Sequence, residues 1–167
     1  MTRIPAAAGL AVLTLALAAC GPKPSGHASQ SAGEAAPPAT PAAALPPITS
    51  ETIPLQIKTA TRQPVSGNPA DGQQDFVVCS ACHSVQAGQN MVGPSLHGVV
   101  NRRAGTIPGF HYSSANKNSG LVWTEQELYA YLESPQKVVP GTYMTYVGMK
   151  DPQQRADVIA YLQQVGR

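Results

Sequence analysis

Aromatic residues are absent from the first 75 residues of this 167-residue chain, and all nine lie between Phe76 and Tyr161. Residues 21–66 hold nine of the 16 prolines and nine alanines, but no aromatic residue. A segment of that composition cannot bury enough apolar surface to offset the entropy lost on folding. The sequence therefore predicts one small folded domain over residues 67–167, and this size excludes a large multidomain enzyme.

Charged residues are also scarce, at 12% of the chain, and the formal net charge is only +2. Residues 66–167 hold seven Lys or Arg and seven Asp or Glu, without a block of like charge or a basic stripe. This balance gives no support to nucleic acid binding. The sequence also offers no nucleophile paired with a base and no carboxylate pair, so a conventional enzyme has no candidate catalytic residues.

The chain has only three cysteines, an odd number that gives no support to a disulfide framework. Cys20 ends an apolar run over residues 4–19, which is too short for a comfortable transmembrane helix and is typical of a secretory signal. Residues 17–20 read Leu-Ala-Ala-Cys, which resembles the cleavage box of bacterial lipoproteins. We therefore expect a signal peptide over residues 1–19 and lipidation of Cys20. An ordinary signal peptide with a chance cysteine is the alternative.

Residues 20–66 are expected to form the lipidated N-terminus and a tether rich in Pro, Ala and Ser. Acyl chains on Cys20 would hold the protein at the membrane without spanning it. Within the tether, Ile53, Leu55 and Ile57 alternate with other residues, a pattern that allows packing against the domain. Pro54 lacks an amide N–H and argues against a central strand at this place.

The strongest motif in the chain is Cys79-Ser-Ala-Cys82-His83. Residues three apart lie on one side of a helical turn, so the two thiols can each add to one vinyl group of a single haem. The imidazole of His83 can then project over the iron from the same side. The motif therefore predicts both covalent attachment of one haem and its first axial ligand.

Two other interpretations of the cysteine pair were weighed. A thioredoxin-like redox pair would need a preceding strand and a βαβ pattern, and neither is present. A zinc site would need two more ligands, for which only His97 and His111 are available.

A haem attached in this way leaves one axial position of the iron to fill. The downstream candidates are Met91, Met144, Met149, His97 and His111. Met91 lies only eight residues after His83, on the predicted loop, so it is poorly placed to reach the opposite face. Met144 follows Pro140 and Gly141, and such a loop can present a side chain to a buried metal.

Several motifs in order resemble those of class I cytochromes c, over about residues 67–167. They are Gly72-Gln-Gln-Asp-Phe76 ahead of the attachment motif, Gly93-Pro-Ser-Leu-His-Gly98, Gly109-Phe-His-Tyr112, Ala115-Asn-Lys117, Gly120-Leu-Val-Trp123, Tyr131-Leu132 and the loop from Pro140 to Met144. The resemblance implies an all-α fold of several helices and long loops wrapped around one covalent haem c. It also implies electron transfer rather than catalysis.

The resemblance implies roles for particular side chains. Met144 would be the second axial ligand, and the carbonyl of Pro94 would fix the ring and the tautomer of His83. Arg102 would offset the charge of the haem propionates. Further residues would contact the haem or its methionine ligand: Tyr112 and Trp123 at the propionates, and Asn116, Tyr131 and Thr142 beside the methionine.

Other histidines and aromatic residues keep simpler interpretations. Trp123 and Tyr131 are equally compatible with plain core packing. His97 is expected to be a structural or surface histidine, and His111 has no ligand role in the family pattern. Four positions depart from that pattern, none of them a ligand, and they bear on potential and partner preference: Ser95, Asn101, Tyr143 and Tyr146.

Three helices are predicted from local signals. The first runs from about Pro69 through Val78 into the attachment turn. Residues 124–127 read Thr-Glu-Gln-Glu, a capping box that opens a helix ending before Pro135. Asp151 and Pro152 start a last helix. Its apolar stripe comprises Val158, Ile159, Leu162 and Val165.

With both axial positions filled by protein, what remains for the iron is one-electron transfer. The sequence therefore predicts a monomeric, membrane-tethered carrier on the periplasmic side of a bacterial membrane. In a respiratory chain it would connect a quinol-oxidising complex or a periplasmic dehydrogenase with a terminal oxidase. A haem sensor or weak peroxidase, and a fixed subunit of a larger complex, are the alternatives.

Overall fold

The computed structural model describes residues 44–167, which form six helices and two short strands. In chain order the elements are β1 (Ile53–Leu55), β2 (Val65–Gly67), α1 (Pro69–Asp75), α2 (Val77–Ser80), α3 (Ser114–Lys117), α4 (Glu125–Glu133), α5 (Pro135–Val138) and α6 (Pro152–Val165). The expected signal peptide, Cys20 and tether residues 21–43 lie outside the described residues. The predicted helical fold with long loops is confirmed, with one small antiparallel sheet in addition.

The longest helix, α6, lies at the centre of the core. Asp151 caps its first turn by accepting hydrogen bonds from the N–H groups of Gln153 at 2.7 Å and Gln154 at 3.3 Å, and Pro152 occupies the first helical position. The predicted apolar stripe is buried at every position, namely Val158, Ile159, Leu162 and Val165. The start and the inner face of this helix are therefore confirmed.

α1 crosses α6 at short range, and this contact positions the attachment motif that follows. The side chain of Asn68 caps α1, while its backbone N–H donates to the carboxylate of Asp157 at 2.7 Å. Gly72 is buried in the crossing, where a Cβ atom would overlap the backbone carbonyl of Asp157. Near the end of α1 the ring of Phe76 packs on Tyr161, with centroids 5.3 Å apart.

α2 follows α1 after a single residue. Phe76 stands between them with helical dihedral angles, φ −67° and ψ −13°. The predicted helix from Pro69 through Val78 is thus present as two consecutive helices that lead into the cysteine motif.

α4 begins at the predicted cap. The hydroxyl of Thr124 accepts a hydrogen bond from the N–H of Glu127 at 3.2 Å. The N–H of Thr124 donates to the carbonyl of Val122 at 2.7 Å, so this end uses one half of the predicted capping box. The helix ends before Pro135, as predicted, and its inner face buries Tyr131.

The segment that precedes α1 packs against the helical core. Residues 45–67, which we call the strap, pack against the domain although most of them were expected to belong to the tether. Leu55 and Ile57 are each only 6% exposed, whereas Pro54 before them and Gln56 between them are exposed. The alternation seen in the sequence therefore separates a buried face from a solvent face.

The strap is ordered because α4 and α6 supply the apolar surface and the hydrogen-bond partners that it lacks by itself. β1 pairs with β2, and Pro54 is opposite Ser66 in this two-stranded sheet, where both strands are edges. The N–H of Gln56 donates to the carboxylate of Glu125, and that of Lys58 to the side chain of Gln126 at 2.7 Å. Contacts with α4 and α6 thus order a segment whose own apolar surface is too small for it to fold alone.

The long connection over residues 81–113 contains no helix and no strand in the described structure, apart from one isolated bridge between Arg103 and Val122. Loops therefore form one side of the domain, and the helices α1, α4 and α6 form the core behind them. None of the helices within residues 44–167 combines the length and apolar character needed to cross a membrane.

Candidate haem-binding site

The cysteine motif forms a helical turn. The N–H of Cys82 donates to the carbonyl of Cys79 at 3.0 Å, and the N–H of His83 donates to the same carbonyl at 2.9 Å. Cys79 and Cys82 thus stand one turn apart on the same side, and both are free thiols. Cys82 is exposed and Cys79 is half-buried, so the pair lies at the rim of the domain, where a planar group can contact both sulfur atoms.

The thiol of Cys79 is not an activated nucleophile. Burial, the carboxylate of Asp75 and the neighbouring Cys82 raise the pKa of Cys79 to about 11. A disulfide oxidoreductase needs the opposite, because its attacking cysteine must be a thiolate near neutral pH. The electrostatics of this turn therefore disfavour the redox-pair interpretation.

The imidazole of His83 is held from one side. Its Nδ1 atom lies 2.8 Å from the carbonyl oxygen of Pro94, so Nδ1 carries the proton and Nε2 keeps its lone pair for a metal. Gly93 lies against the ring, and a Cβ atom there would overlap the imidazole. Burial lowers the pKa of His83, the bond to Pro94 raises it, and the positive charge of Arg102 lowers it. The neutral, ligating form is thus favoured.

Arg102 is a half-buried cation without a carboxylate partner in the described chain. Its guanidinium donates to the carbonyl oxygens of His97 at 2.7 Å and Ser95 at 3.0 Å. Among residues 44–167 the one ion pair joins Arg155 to Glu133, at 3.6 Å. Burial lowers the pKa of Arg102, and a carboxylate from a bound group would offset that cost.

Tyr112 lies near Arg102 and half-buried, where burial raises the pKa of its phenol and the guanidinium lowers it. Its ring contacts Phe110 edge-on, with centroids 4.8 Å apart. A phenol and a guanidinium together offer hydrogen-bond donors suited to carboxylate groups such as haem propionates.

Asn116, Tyr131 and Thr142, the residues expected beside the methionine, are all buried, and so is Trp123, which was expected at the propionates. The hydroxyl groups of Tyr131 and Thr142 lie 3.2 Å apart, and the ring of Tyr131 packs on Trp123 with centroids 4.7 Å apart. The amide oxygen of Asn116 is buried with no hydrogen-bond partner among the described residues. A buried amide oxygen normally accepts a hydrogen bond, so this acceptor is left unmet by the described residues.

Met144 lies in the loop between α5 and α6, half-buried and packed against the core, as Cys79 is. Its N–H donates to the hydroxyl of Thr142 at 3.3 Å. Burial raises the pKa of Tyr146 in the same loop, and the charges of Cys79 and Asp75 raise it further. Tyr146 therefore lies within electrostatic range of the attachment turn. Met144, Tyr146 and Cys79 also pack against the same core cluster, which brings the methionine loop and the cysteine turn to one part of the domain.

The other candidate ligands differ in burial and surroundings, and His111 stacks on Tyr143, the neighbour of Met144. Met91 is 50% exposed and His111 is exposed, whereas Met149 is buried among core residues and its N–H donates to the carbonyl of Leu132 at 2.7 Å. The Nδ1 atom of His97 is buried without a partner among the described residues.

The departures at Ser95 and Asn101 have local explanations. Asn101 has φ +65°, a left-handed conformation that asparagine tolerates better than most residues other than glycine. Ser95 is fully buried, its hydroxyl donates to the carbonyl of Gln86 at 2.6 Å, and its N–H donates to the side chain of Asn90 at 3.0 Å. Neither departure disturbs the residues around His83.

Sequence reasoning missed two amide side chains that organise the loops. Asn90 donates to the carbonyl of Pro108 at 3.0 Å and so joins two segments of the long connection. Gln136 in α5 contacts the backbone of the methionine loop. No sequence signal identifies either residue, because an exposed or half-exposed amide has no characteristic spacing.

The side chains gathered at this site suit a haem. Two thiols one turn apart can attach a c-type haem, and a histidine with Nε2 available and a methionine in a loop packed on the same core are side chains of the types that ligate its iron. The guanidinium of Arg102, which has no carboxylate partner among the described residues, matches the needs of its propionate side.

Comparison with known proteins identifies the same group. The family model for cytochrome c matches residues 69–166. Cytochrome c2 of Rhodopila globiformis is 54% identical over 98 residues, which cover 58% of this chain and 92% of that protein. Cytochrome c2 of Rhodoblastus acidophilus is 51% identical over 100 residues, which cover 59% of this chain and 94% of that protein.

Solved structures agree. Cytochrome cH from Methylobacterium extorquens superposes with a TM-score of 0.56 at 44% identity, covering 58% of this chain and 98% of that one. Cytochrome c2 from Rhodospirillum centenum gives a TM-score of 0.58 at 39% identity, covering 60% of this chain and 100% of that one. With the match of the family model over most of the chain, these likenesses place the chain in the cytochrome c family, as a mono-haem electron-transfer protein, not an enzyme, whose single haem c is bound covalently through Cys79 and Cys82.

Proposed function

We propose that this cytochrome is a membrane-tethered respiratory carrier whose iron is ligated by His83 and Met144. It would stand on the periplasmic side of a bacterial membrane and move single electrons from a quinol-oxidising complex or a periplasmic dehydrogenase to a terminal oxidase. The observation that carries the proposal is the placement of Met144 on a hydrogen-bonded loop beside the cysteine turn. Such a placement favours a filled sixth position over an open one.

Bound haem supplies the ferric/ferrous couple, which exchanges one electron at a time. The protein's part is to hold that group and set its surroundings. Pro94 orients His83, while Arg102, Tyr112 and Trp123 offer hydrogen-bond donors on the propionate side. Three further buried side chains complete the pocket on the methionine side, namely Asn116, Tyr131 and Thr142.

The surface near the site favours apolar docking. Exposed apolar side chains flank all three segments that surround it: Val77 and Val78 before the cysteine turn, Met91 and Val92 before Pro94, and Tyr143 and Val147 beside Met144. The seven positive and seven negative residues over 66–167 give no strong charge for steering. A tethered carrier obtains frequent encounters from its high effective concentration instead.

This view of docking has a direct test. Oxidase turnover by the membrane-bound protein is measured as salt is raised through the range that screens surface charge. We expect a shallow dependence. A steep collapse of turnover would contradict the proposal and indicate a docking face held by charge.

For the domain limits we propose a signal peptide over 1–19, a lipidated Cys20 with a tether, and a folded part that includes the strap. Only 24 residues separate Cys20 from Leu45 at the start of the strap. A coil of that length spans about 25–30 Å, less than the roughly 35–40 Å of a tether that runs to residue 66. The carrier would therefore work close to its membrane.

Anchoring is tested by fractionation. Cys20→Ala is compared with Cys82→Ser, which keeps the N-terminus and removes one haem attachment. We expect Cys20→Ala to release the protein from the membrane fraction while it retains its haem spectrum. Retention of Cys20→Ala in the membrane would contradict lipid anchoring. Co-purification of a stoichiometric partner after mild detergent extraction would favour a fixed subunit over a mobile carrier.

The sixth ligand is tested by carbon monoxide. The visible spectrum of the dithionite-reduced protein is recorded at neutral pH before and after the gas is added. An unchanged low-spin spectrum is expected for the wild type, and rapid adduct formation is expected for Met144→Ala. Rapid adduct formation in the wild type would overturn the carrier proposal and favour a sensor or weak peroxidase.

A further inference from the structure

The side chain of Gln136 makes three hydrogen bonds to one loop. Its Nε2 donates to the carbonyl oxygens of Thr142 at 3.0 Å and Met144 at 3.2 Å. Its Oε1 accepts a hydrogen bond from the N–H of Gly141 at 3.3 Å. Gln136 is itself exposed, so these contacts are not a consequence of core packing.

The loop has few other main-chain contacts. The N–H of Thr142 donates to the carbonyl of Val139 at 3.0 Å, and the next backbone-to-backbone bond along the described chain is from Met149 N–H to Leu132. Between Thr142 and Met149, the hydrogen bonds that the backbone makes within the described chain are bonds to side chains. Within residues 44–167, Gln136 is the hydrogen-bond partner of the Met144 carbonyl.

The two anchors of the loop are different in kind. Thr142 is tied to the core through Tyr131, at 3.2 Å, and its hydroxyl also receives the N–H of Met144. Gln136 instead acts from α5, a four-residue helix that begins at Pro135. It thereby fixes the backbone on both sides of Tyr143, which is 67% exposed and whose ring stacks on His111 with centroids 6.4 Å apart.

We propose that Gln136 is a positioning residue that keeps the loop in the conformation in which Met144 reaches the iron. The inference rests on the proposed ligation by Met144. Without the amide, the carbonyls of Thr142 and Met144 turn to water and the loop exchanges with a conformation in which the methionine is withdrawn. An added ligand competes more easily for the iron in that conformation.

The test uses the haem-loaded protein in its ferric state and imidazole as the competing ligand. Gln136→Leu keeps side-chain volume and helix propensity but removes every hydrogen bond. Gln136→Glu keeps an acceptor for Gly141 and loses both donors. Lys137→Ala is the matched control, because Lys137 is exposed, neighbours Gln136 in α5 and makes no side-chain hydrogen bond in the described structure.

We expect Gln136→Leu to bind imidazole about tenfold more tightly than the wild type, since the lost bonds are solvent-accessible and individually modest. Gln136→Glu is expected to resemble Gln136→Leu, because both carbonyls lose their donor, and Lys137→Ala to resemble the wild type. The weak red absorption band of methionine-ligated ferric haem should lose intensity in the two Gln136 variants. Hydrogen exchange over residues 140–146 should quicken in the same variants.

The outcomes separate the two proposals. If Met144→Ala leaves imidazole affinity and the red band unchanged, ligation by Met144 fails. If Met144→Ala opens the site but Gln136→Leu matches the wild type in affinity and exchange, ligation stands and the role of Gln136 is overturned. Equal changes in Gln136→Leu and Lys137→Ala also overturn it, because they would reflect a general effect on α5.

Discussion

The Nδ1 atom of His83 lies 2.8 Å from the carbonyl oxygen of Pro94, which is eleven residues further along the chain. The loop between them is closed by two backbone bonds, from Gly93 N–H to Cys82 and from Leu96 N–H to Ser84, each 2.8 Å long. The orientation of the expected iron ligand is therefore set by a closed loop and not by the helical turn that carries it.

Gly93→Ala is expected to disturb this ligand, because the added Cβ overlaps the imidazole ring. Overpacking of this kind costs about 1–3 kcal/mol of unfolding free energy. We expect a lower yield of haem-loaded protein and a perturbed low-spin spectrum. Val92→Ala is the control, since Val92 adjoins Gly93 in the same loop and is 80% exposed. A normal spectrum and yield in Gly93→Ala would refute the steric argument.

Arg102→Gln is expected to lower the reduction potential, because removal of a nearby positive charge favours ferric over ferrous iron. The decrease should be on the order of tens of millivolts. Loss of the bonds to Ser95 and His97 should also lower the unfolding free energy by about 2–4 kcal/mol. Arg102→Lys should have a reduction potential close to that of the wild type, because the positive charge remains. Its unfolding free energy should still be much lower than that of the wild type. Redox titration and urea unfolding measure the two effects, and an unchanged potential in Arg102→Gln would contradict the expectation.

Leu55→Ala is expected to destabilise the whole domain by about 2–4 kcal/mol, because the side chain is 6% exposed in the core. The control is Gln56→Ala, whose side chain is exposed next to it. Thermal unfolding of the haem-loaded proteins compares them. If the strap were only part of a tether, both variants would unfold at the temperature of the wild type.

Removal of haem is expected to unfold most of the domain. Residues 81–113 have no helix or strand of their own, and Asn116 and Arg102 keep polar groups that need a partner from the bound group. The double variant Cys79→Ala, Cys82→Ala, prepared without haem, should lose most of the helical circular dichroism. A spectrum near that of the native protein would show that the core folds without haem.

Local signals predicted the helices well, because each depends on a few adjacent residues. Asp151 with Pro152 and Thr124 with Glu127 mark the starts of α6 and α4, and the stripe of α6 follows from spacing alone. The cysteine turn was equally accessible, since its chemistry depends on a spacing of three. These parts of the fold and site can be read without any tertiary information.

The strap could not be predicted with the same success, because its order depends on distant partners. Leu55 is buried only because α4 and α6 present a face for it, and the N–H of Lys58 is satisfied by Gln126, 68 residues away. Asn90 and Gln136 escaped notice for the same reason, since their partners come from loops whose paths no local pattern specifies. The aromatic residues, all at or after Phe76, indicate where the core lies but carry no signal for the packing of the strap.

The pairing of the strap has a mechanical consequence. Ile53 is opposite Gly67 and Leu55 is opposite Val65, so the end that receives the tether and the end that enters α1 lie side by side. Tension between an anchored N-terminus and a docked partner would open this pair one rung at a time. Complete opening would release residues 53–66 as roughly 45 Å of extended chain. Because Leu55 lies in the core, the same opening would withdraw a core side chain, so a load on the anchor would lower the stability of the haem domain.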